Sequence, residues 1–113
     1  MCPLATAQKI LSGKWALIIL FRLSKKTMRF NELQKELENI TQATLTKQLR
    51  MMESNGLVSR TVYNQIPPKV EYSLNDLGRQ FVPVLETLEE WGHKCIEYLD
   101  SETHKDTLDV TSL

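Results

Sequence analysis

Apolar residues recur at helical spacing over most of the first 56 positions, alternate between positions 57 and 74, and return to helical spacing afterwards. The first helical segment is Pro3 to Leu11, with Leu4, Ala7, Ile10 and Leu11 on one side and proline where its missing N–H costs little. Ser12-Gly13 breaks it. Lys14 to Leu23 is apolar nearly all round, through Trp15, Leu17, Ile18, Ile19, Leu20, Phe21 and Leu23, and predicts the central core helix. Ser24 to Met28 reads as a basic loop. Asn31 then predicts an N-cap with Gln34 completing a capping box, opening a helix from Glu32 to Leu37 that turns Leu33 and Leu37 inward. After the tight connection Glu38-Asn39-Ile40, Thr41 caps a helix over Gln42 to Asn55, with Ile40 stapled on Leu45 and Leu49 and Met52 on the same side. Gly56 stops it in the left-handed conformation, and Leu57 folds back on Met52.

Leu57 to Tyr63 and Lys69 to Leu74 are rich in β-branched and aromatic residues and predict two strands of a hairpin, joined by Asn64-Gln65-Ile66-Pro67-Pro68. Asn75 caps a last helix reaching about Leu99, which Pro83 must kink or restart. Two short helices joined by a tight turn and followed at once by a hairpin are the order of a winged helix–turn–helix. The expected fold is therefore mainly α with a small β-hairpin wing. Residues 1–100 form the domain and 101–113 a polar, fraying C-terminal tail.

Length and composition agree with one globular domain: 113 residues, 42% hydrophobic. The longest apolar run, Ala16 to Phe21, is far short of the roughly 20 residues of a membrane span. Met1 to Gln8 lacks the pattern of a signal peptide. Cys2 and Cys95 cannot make a disulfide framework and fit a reducing, cytoplasmic setting. The formal net charge is zero, which by itself speaks against a polyanionic partner. Along the chain, however, residues 1–72 hold eleven Lys/Arg against five Asp/Glu, a net of +6, and residues 73–113 carry the compensating −6. That asymmetry predicts a basic surface for nucleic acid and an acidic region with another task.

The helix starting at Gln42 turns Gln42, Ala43, Thr46, Lys47 and Arg50 away from Leu45, a face of amide, hydroxyl, methyl and cation suited to base edges and phosphates. Arg60, Asn64, Gln65 and Lys69 surround the proline-stiffened tip of the wing, where backbone or minor-groove contacts are made. Lys14, Arg29 and Asn31 lie at helix starts, where amide dipoles favour phosphate. In the last helix Leu77, Phe81, Val84, Leu88, Trp91, Cys95 and Tyr98 follow a heptad spacing. A small domain cannot cover that whole stripe. With the apolar side of the first helix it predicts a homodimer formed by the N- and C-terminal helices, with Leu4, Leu88, Trp91, Cys95 and Tyr98 at the interface. His93 and Cys95 point to different sides of a helix, so with Cys2 and His104 they make no metal site. No phosphate loop, nucleophile elbow or His/carboxylate cluster suggests catalysis, and no cofactor is expected.

The runs Cys2-Pro3, Gly13-Lys14-Trp15, Arg29-Phe30-Asn31-Glu32-Leu33, Leu45-Thr46-Lys47-Gln48-Leu49, Gly56-Leu57-Val58, Pro67-Pro68-Lys69-Val70-Glu71-Tyr72-Ser73-Leu74, Leu77-Gly78 and Trp91-Gly92 resemble the HxlR-type bacterial transcriptional regulators over residues 2–98. The resemblance implies a cytoplasmic, dimeric winged helix–turn–helix protein that binds a roughly palindromic operator in double-stranded DNA and represses or activates nearby genes. It also implies, for Cys2, the place of a thiol that in several members senses oxidants or electrophiles, so that a small electrophile or other inducer would join DNA as a partner. Two other readings stand beside it: a winged helix used only as a protein-interaction module without sequence-specific DNA binding, and a thiol switch whose readout is DNA binding.

Overall fold

The computed structural model describes residues 1–101; apart from Ser101, which is helical, the expected C-terminal tail lies outside the described residues. The order is α1 (Pro3–Ile10), α2 (Ala16–Lys25), β1 (Met28–Arg29), α3 (Phe30–Glu36), α4 (Gln42–Ser54), β2 (Val58–Tyr63), β3 (Lys69–Leu74), α5 (Asp76–Gln80) and α6 (Val82–Ser101). This is a mainly helical winged helix–turn–helix.

One face of α2 is the floor of the core. Ile19, Leu20 and Leu23 are buried there against Leu33 and Leu37 from the α3 segment, Leu45, Leu49 and Met52 from α4, and Val58 and Leu74 from the hairpin. The other face is left open among the described residues: Leu17 and Ile18 are exposed beside an apolar groove between α2 and α6. The sequence overstates the burial of this helix because apolar character alone does not say which chain covers it.

Two local features differ from the sequence reading. The segment expected as a loop to Met28 carries a short strand, β1, pairing antiparallel with β3 through Met28 opposite Tyr72 and Arg29 opposite Glu71. The sheet therefore has three strands in the order β1-β3-β2. Two residues are too few for an alternation signal, and the anchor is the burial of Met28. Second, α3 starts two residues earlier than expected. Arg29, not Asn31, is its N-cap, and Glu32 rather than Gln34 returns to the cap, accepting from the Arg29 backbone N–H at 3.0 Å. Gln34 instead donates from Nε2 to the Ile40 carbonyl at 3.3 Å and closes the turn into α4. The restart expected at Pro83 is present, and the last helical segment is two helices. The Leu85 N–H donates to the Phe81 carbonyl at 3.0 Å, and Pro83 falls in the first turn of α6, where its missing N–H is tolerated.

The start and stop of α4 follow expectation. Thr41 Oγ1 accepts from the Thr44 N–H at 3.1 Å. At the other end Gly56 takes φ +77°, and the Leu57 N–H donates to the Met52 carbonyl at 2.9 Å, with both side chains buried. The hairpin register runs from Val58 opposite Leu74 to Tyr63 opposite Lys69.

A polar side chain locks α4 against the α1–α2 turn. Gln48 lies on the inner face of α4 among the apolar residues and is only 6% exposed. Its Nε2 donates to the Ser12 carbonyl at 3.4 Å. Next to it Gly13 has φ +105°, and a Cβ there would collide with Gln48 Oε1. Glycine is thus required twice at this position, for its backbone conformation and for the space it leaves. Gly13→Ala should lower stability by about 1–3 kcal/mol. Urea unfolding should show Gly13→Ala/Gln48→Ala to be less damaged than the sum of its single changes, because the collision is relieved while the strained φ persists.

Candidate nucleic-acid interface

The Thr41 cap and the Gly56 stop bound α4, and burial of Leu45, Gln48, Leu49 and Met52 turns Gln42, Ala43, Lys47 and Arg50 to solvent, with Thr46 half-buried between them. Thr41, Gln42, Ala43, Thr46, Lys47 and Arg50 line one continuous shallow groove. No acidic residue occupies the first turn of α4. Its N-terminal amides therefore present a partial positive charge with no carboxylate of their own to neutralise it. The start of α3 is different. There the Glu32 carboxylate takes the Arg29 N–H and lies 3.8 Å from Lys26 Nζ. The hydrogen bond from Arg29, with the nearby Lys26 ammonium, holds Glu32 below the usual carboxylate range.

The wing stands beside α4 and is two-sided. Alternation along the register puts Arg60, Val62, Val70 and Tyr72 on one face and Tyr63, Lys69 and Glu71 on the other. The first face looks toward α4: Arg60, Val70 and Tyr72 share a cleft with Gln42, Thr46, Arg50, Glu53 and Phe30. On the second face Lys69 Nζ sits 3.5 Å from a Glu71 carboxylate oxygen and 4.9 Å from the centre of the Tyr63 ring. The same carboxylate accepts from the Tyr63 hydroxyl, and this hydrogen bond raises the hydroxyl above its ordinary value. Lys69 is therefore engaged within the wing, on the side away from Arg60. Asn64 and Gln65 lie exposed at the tip.

Among the other sequence-predicted residues, Arg29 and Asn31 are exposed at the start of α3, Arg29 opposite Glu71 at the sheet edge. Lys14 lies elsewhere. Its ammonium is 5.5 Å from the Trp15 ring centre, and it lines the groove between α2 and α6 with Leu88 and Glu89. The structure thus brings together Gln42, Ala43, Thr46, Lys47, Arg50 and Arg60, but not Lys14 or Lys69. It adds Phe30, Glu53 and Tyr72 to the cleft, which the sequence reading missed. Glu53 was recoverable, since it stands one helical turn from Arg50 on the same flank. The role of Gln48 was not, because an amide among apolar residues looks like an interruption of the stripe.

At the opposite side, α1 buries none of its residues, and Leu4 is 81% exposed. Along α6, Val84, Leu88, Trp91 and Tyr98 are exposed, Trp91 at 64%, and Cys95 is partly covered. Leu77 and Phe81 do not continue that row, because they border a groove against α1 across the break before α6. Cys2 is the exposed N-cap of α1, and both cysteines are free thiols. No group of three or more potential metal ligands gathers among the described residues, and His104 lies outside them. No described helix is long and apolar enough to cross a membrane.

The HxlR-like helix–turn–helix family matches residues 10–100. The uncharacterized HTH-type transcriptional regulator YdeP of Bacillus subtilis (strain 168) is 46% identical over 99 residues, spanning 88% of this chain and 77% of that protein. Among solved structures, the redox regulator HypR in its reduced form superposes with a TM-score of 0.83 at 40% identity, over 89% of this chain and all of that one. Its oxidized form gives 0.78 at 42% identity, over 82% and 96% of the two chains. With that agreement in sequence and fold, the chain belongs to the HxlR-like helix–turn–helix family of transcriptional regulators.

Proposed function

We propose that the protein is a bacterial, cytoplasmic, sequence-specific DNA-binding regulator that acts as a homodimer on a roughly palindromic operator. The observation that carries this reading is the face of α4, where Lys47 and Arg50 stand on a groove with Gln42, Ala43 and Thr46, flanked by Arg60 of the wing. Base edges are read by this face in the major groove: Arg50 suits guanine, Gln42 adenine, and the methyls of Ala43 and Thr46 thymine. Arg29 and Asn31 at the start of α3, and Arg60, Asn64, Gln65 and Lys69 on the wing, serve the phosphate backbone and the neighbouring minor groove. Lys69 must first yield part of its contact with Glu71.

The homodimer reading is supported by Leu4 on α1 and Val84, Leu88 and Trp91 on α6, apolar side chains that are exposed among the described residues. A two-fold dimer repeats its α4 helices across a symmetric site. Control by oxidants or electrophiles is assigned to Cys2, whose thiol is exposed at the start of α1, the helix that joins the proposed dimer. The similarity to the redox regulator HypR supports redox control as such. No catalytic role is proposed.

Lys47→Ala and Arg50→Ala should each weaken binding to a duplex selected by the wild-type protein by about tenfold, measured by fluorescence anisotropy. Unchanged binding in the double variant would favour the protein-interaction module instead. If about six phosphates are neutralised, wild-type affinity should fall roughly a thousandfold between 50 and 200 mM salt. Sedimentation at micromolar concentration should show a dimer that Trp91→Glu converts to monomer. Diamide should release DNA from the wild type but not from Cys2→Ser, and equal release from both would remove Cys2 as the sensor.

A further inference from the structure

The wing ends in an apolar point. Among the described residues Ile66 is 100% exposed, a degree reached by no other large apolar side chain except the N-terminal Met1. It is followed by Pro67 and Pro68, both exposed, and preceded by Asn64 and Gln65. A single isoleucine in solvent means little by itself. Its position gives it meaning. The third strand supports the hairpin only as far as Arg29 opposite Glu71, and beyond that level β2 and β3 project as a two-stranded ribbon. Arg60 lies in the cleft against α4, and six residues separate it from Ile66. At about 3.3 Å per residue the apex can stand up to about 20 Å beyond the cleft. Half a turn of duplex DNA, the step from a major groove to the next minor groove, is about 17 Å. A wing rooted beside a helix in the major groove therefore reaches the adjacent minor groove, and what it delivers there is Ile66.

We propose that Ile66 is an apolar wedge that enters the minor groove beside the α4 site and unstacks or widens a base step there. The proposal rests on the DNA-binding reading above and adds a residue to it that carries no charge and makes no hydrogen bond through its side chain. Isoleucine and proline are among the side chains that act as wedges in minor-groove binders, bending the duplex toward the major groove. Asn64 and Gln65 beside it can donate to the purine N3 and pyrimidine O2 acceptors of the groove floor. The proline rings that follow restrict the backbone of the tip, so less freedom is lost on insertion. The exocyclic amine of guanine obstructs this groove and A·T pairs lack it, so the wedge would favour A·T-rich, deformable flanks at positions that α4 does not touch.

The test compares wild type and Ile66→Ala on a duplex selected by the wild type from a random pool, labelled at both ends for energy transfer. Ile66 is fully exposed among the described residues, so the thermal midpoint should be unchanged. Ile66→Ala should bind about tenfold more weakly, bend the duplex less, and keep the wild-type salt slope because no charge is removed. Replacing flanking G·C pairs by inosine·C, which deletes the minor-groove amine, should strengthen wild-type binding but not that of Ile66→Ala. Wild-type affinity, bend and flank preference in Ile66→Ala would overturn the wedge while leaving DNA binding intact. Weaker binding by Ile66→Ala to a duplex that even the wild type leaves straight, with no response to inosine, would also overturn it. A wild type that selects no duplex would instead remove the DNA-binding reading, and the wedge with it.

Discussion

The way α4 is held from behind controls everything it can present in front. Leu45, Leu49 and Met52 seat it in the core, but apolar contacts alone would allow a helix to slide or rotate by a fraction of a turn. The amide of Gln48, seated on the Ser12 carbonyl over Gly13, is directional. A buried polar group left without its partner is costly, so this contact selects one setting of the helix where hydrophobic burial would accept several. Ser12 and Gly13 are also the joint between α1 and α2. The position of the outward face of α4 is therefore tied to the same turn that fixes where α1 leaves the domain.

Charge follows the same division of labour. The chain is neutral, yet three of the five acids in residues 1–72 are occupied by neighbouring cations: Glu36 by Arg22 at 3.6 Å, Glu32 by Lys26 at 3.8 Å and Glu71 by Lys69 at 3.5 Å. Such exposed pairs contribute little to stability. Their effect is to decide where positive charge remains. Lys47, Arg50 and Arg60 make no ion pair among the described residues; Arg50 and Arg60 flank one cleft, and Lys47 shares the adjoining groove with Arg50. Glu53 in that cleft is the exception that keeps it from being uniformly cationic.

The fold was legible wherever a local rule had enough residues to act on. Thr41, Ile40 and Gly56 announce α4 through its cap, staple and stop, and the alternation of Val70, Tyr72 and Leu74 announces the hairpin register. What escaped was short or relational. β1 has two residues and exists because β3 offers an edge. The cap of α3 moved by two residues because the carboxylate of Glu32 reaches the Arg29 amide better than Gln34 reaches Asn31, and Gln34 has the Ile40 carbonyl as a partner. In the candidate site, the outward residues of α4 followed from helical geometry alone. That Lys14 belongs to the α2–α6 groove, or that Lys69 and Arg60 lie on opposite sides of the wing, depended on contacts between segments far apart in sequence.

The contact of Lys69 with Glu71 and Tyr63 has a consequence for the mechanics of the wing. It closes one side of the ribbon with a hydrogen-bonded surface on which Lys69 is paired with Glu71, and leaves Arg60 unpaired on the other. A ribbon built this way has a front and a back. A polyanion approaching from the back meets compensated charge, whereas one approaching from the front meets cations of the wing and of α4 together. The wing is thus a directional rail, and its asymmetry gives an incoming duplex a preferred side before any base is read.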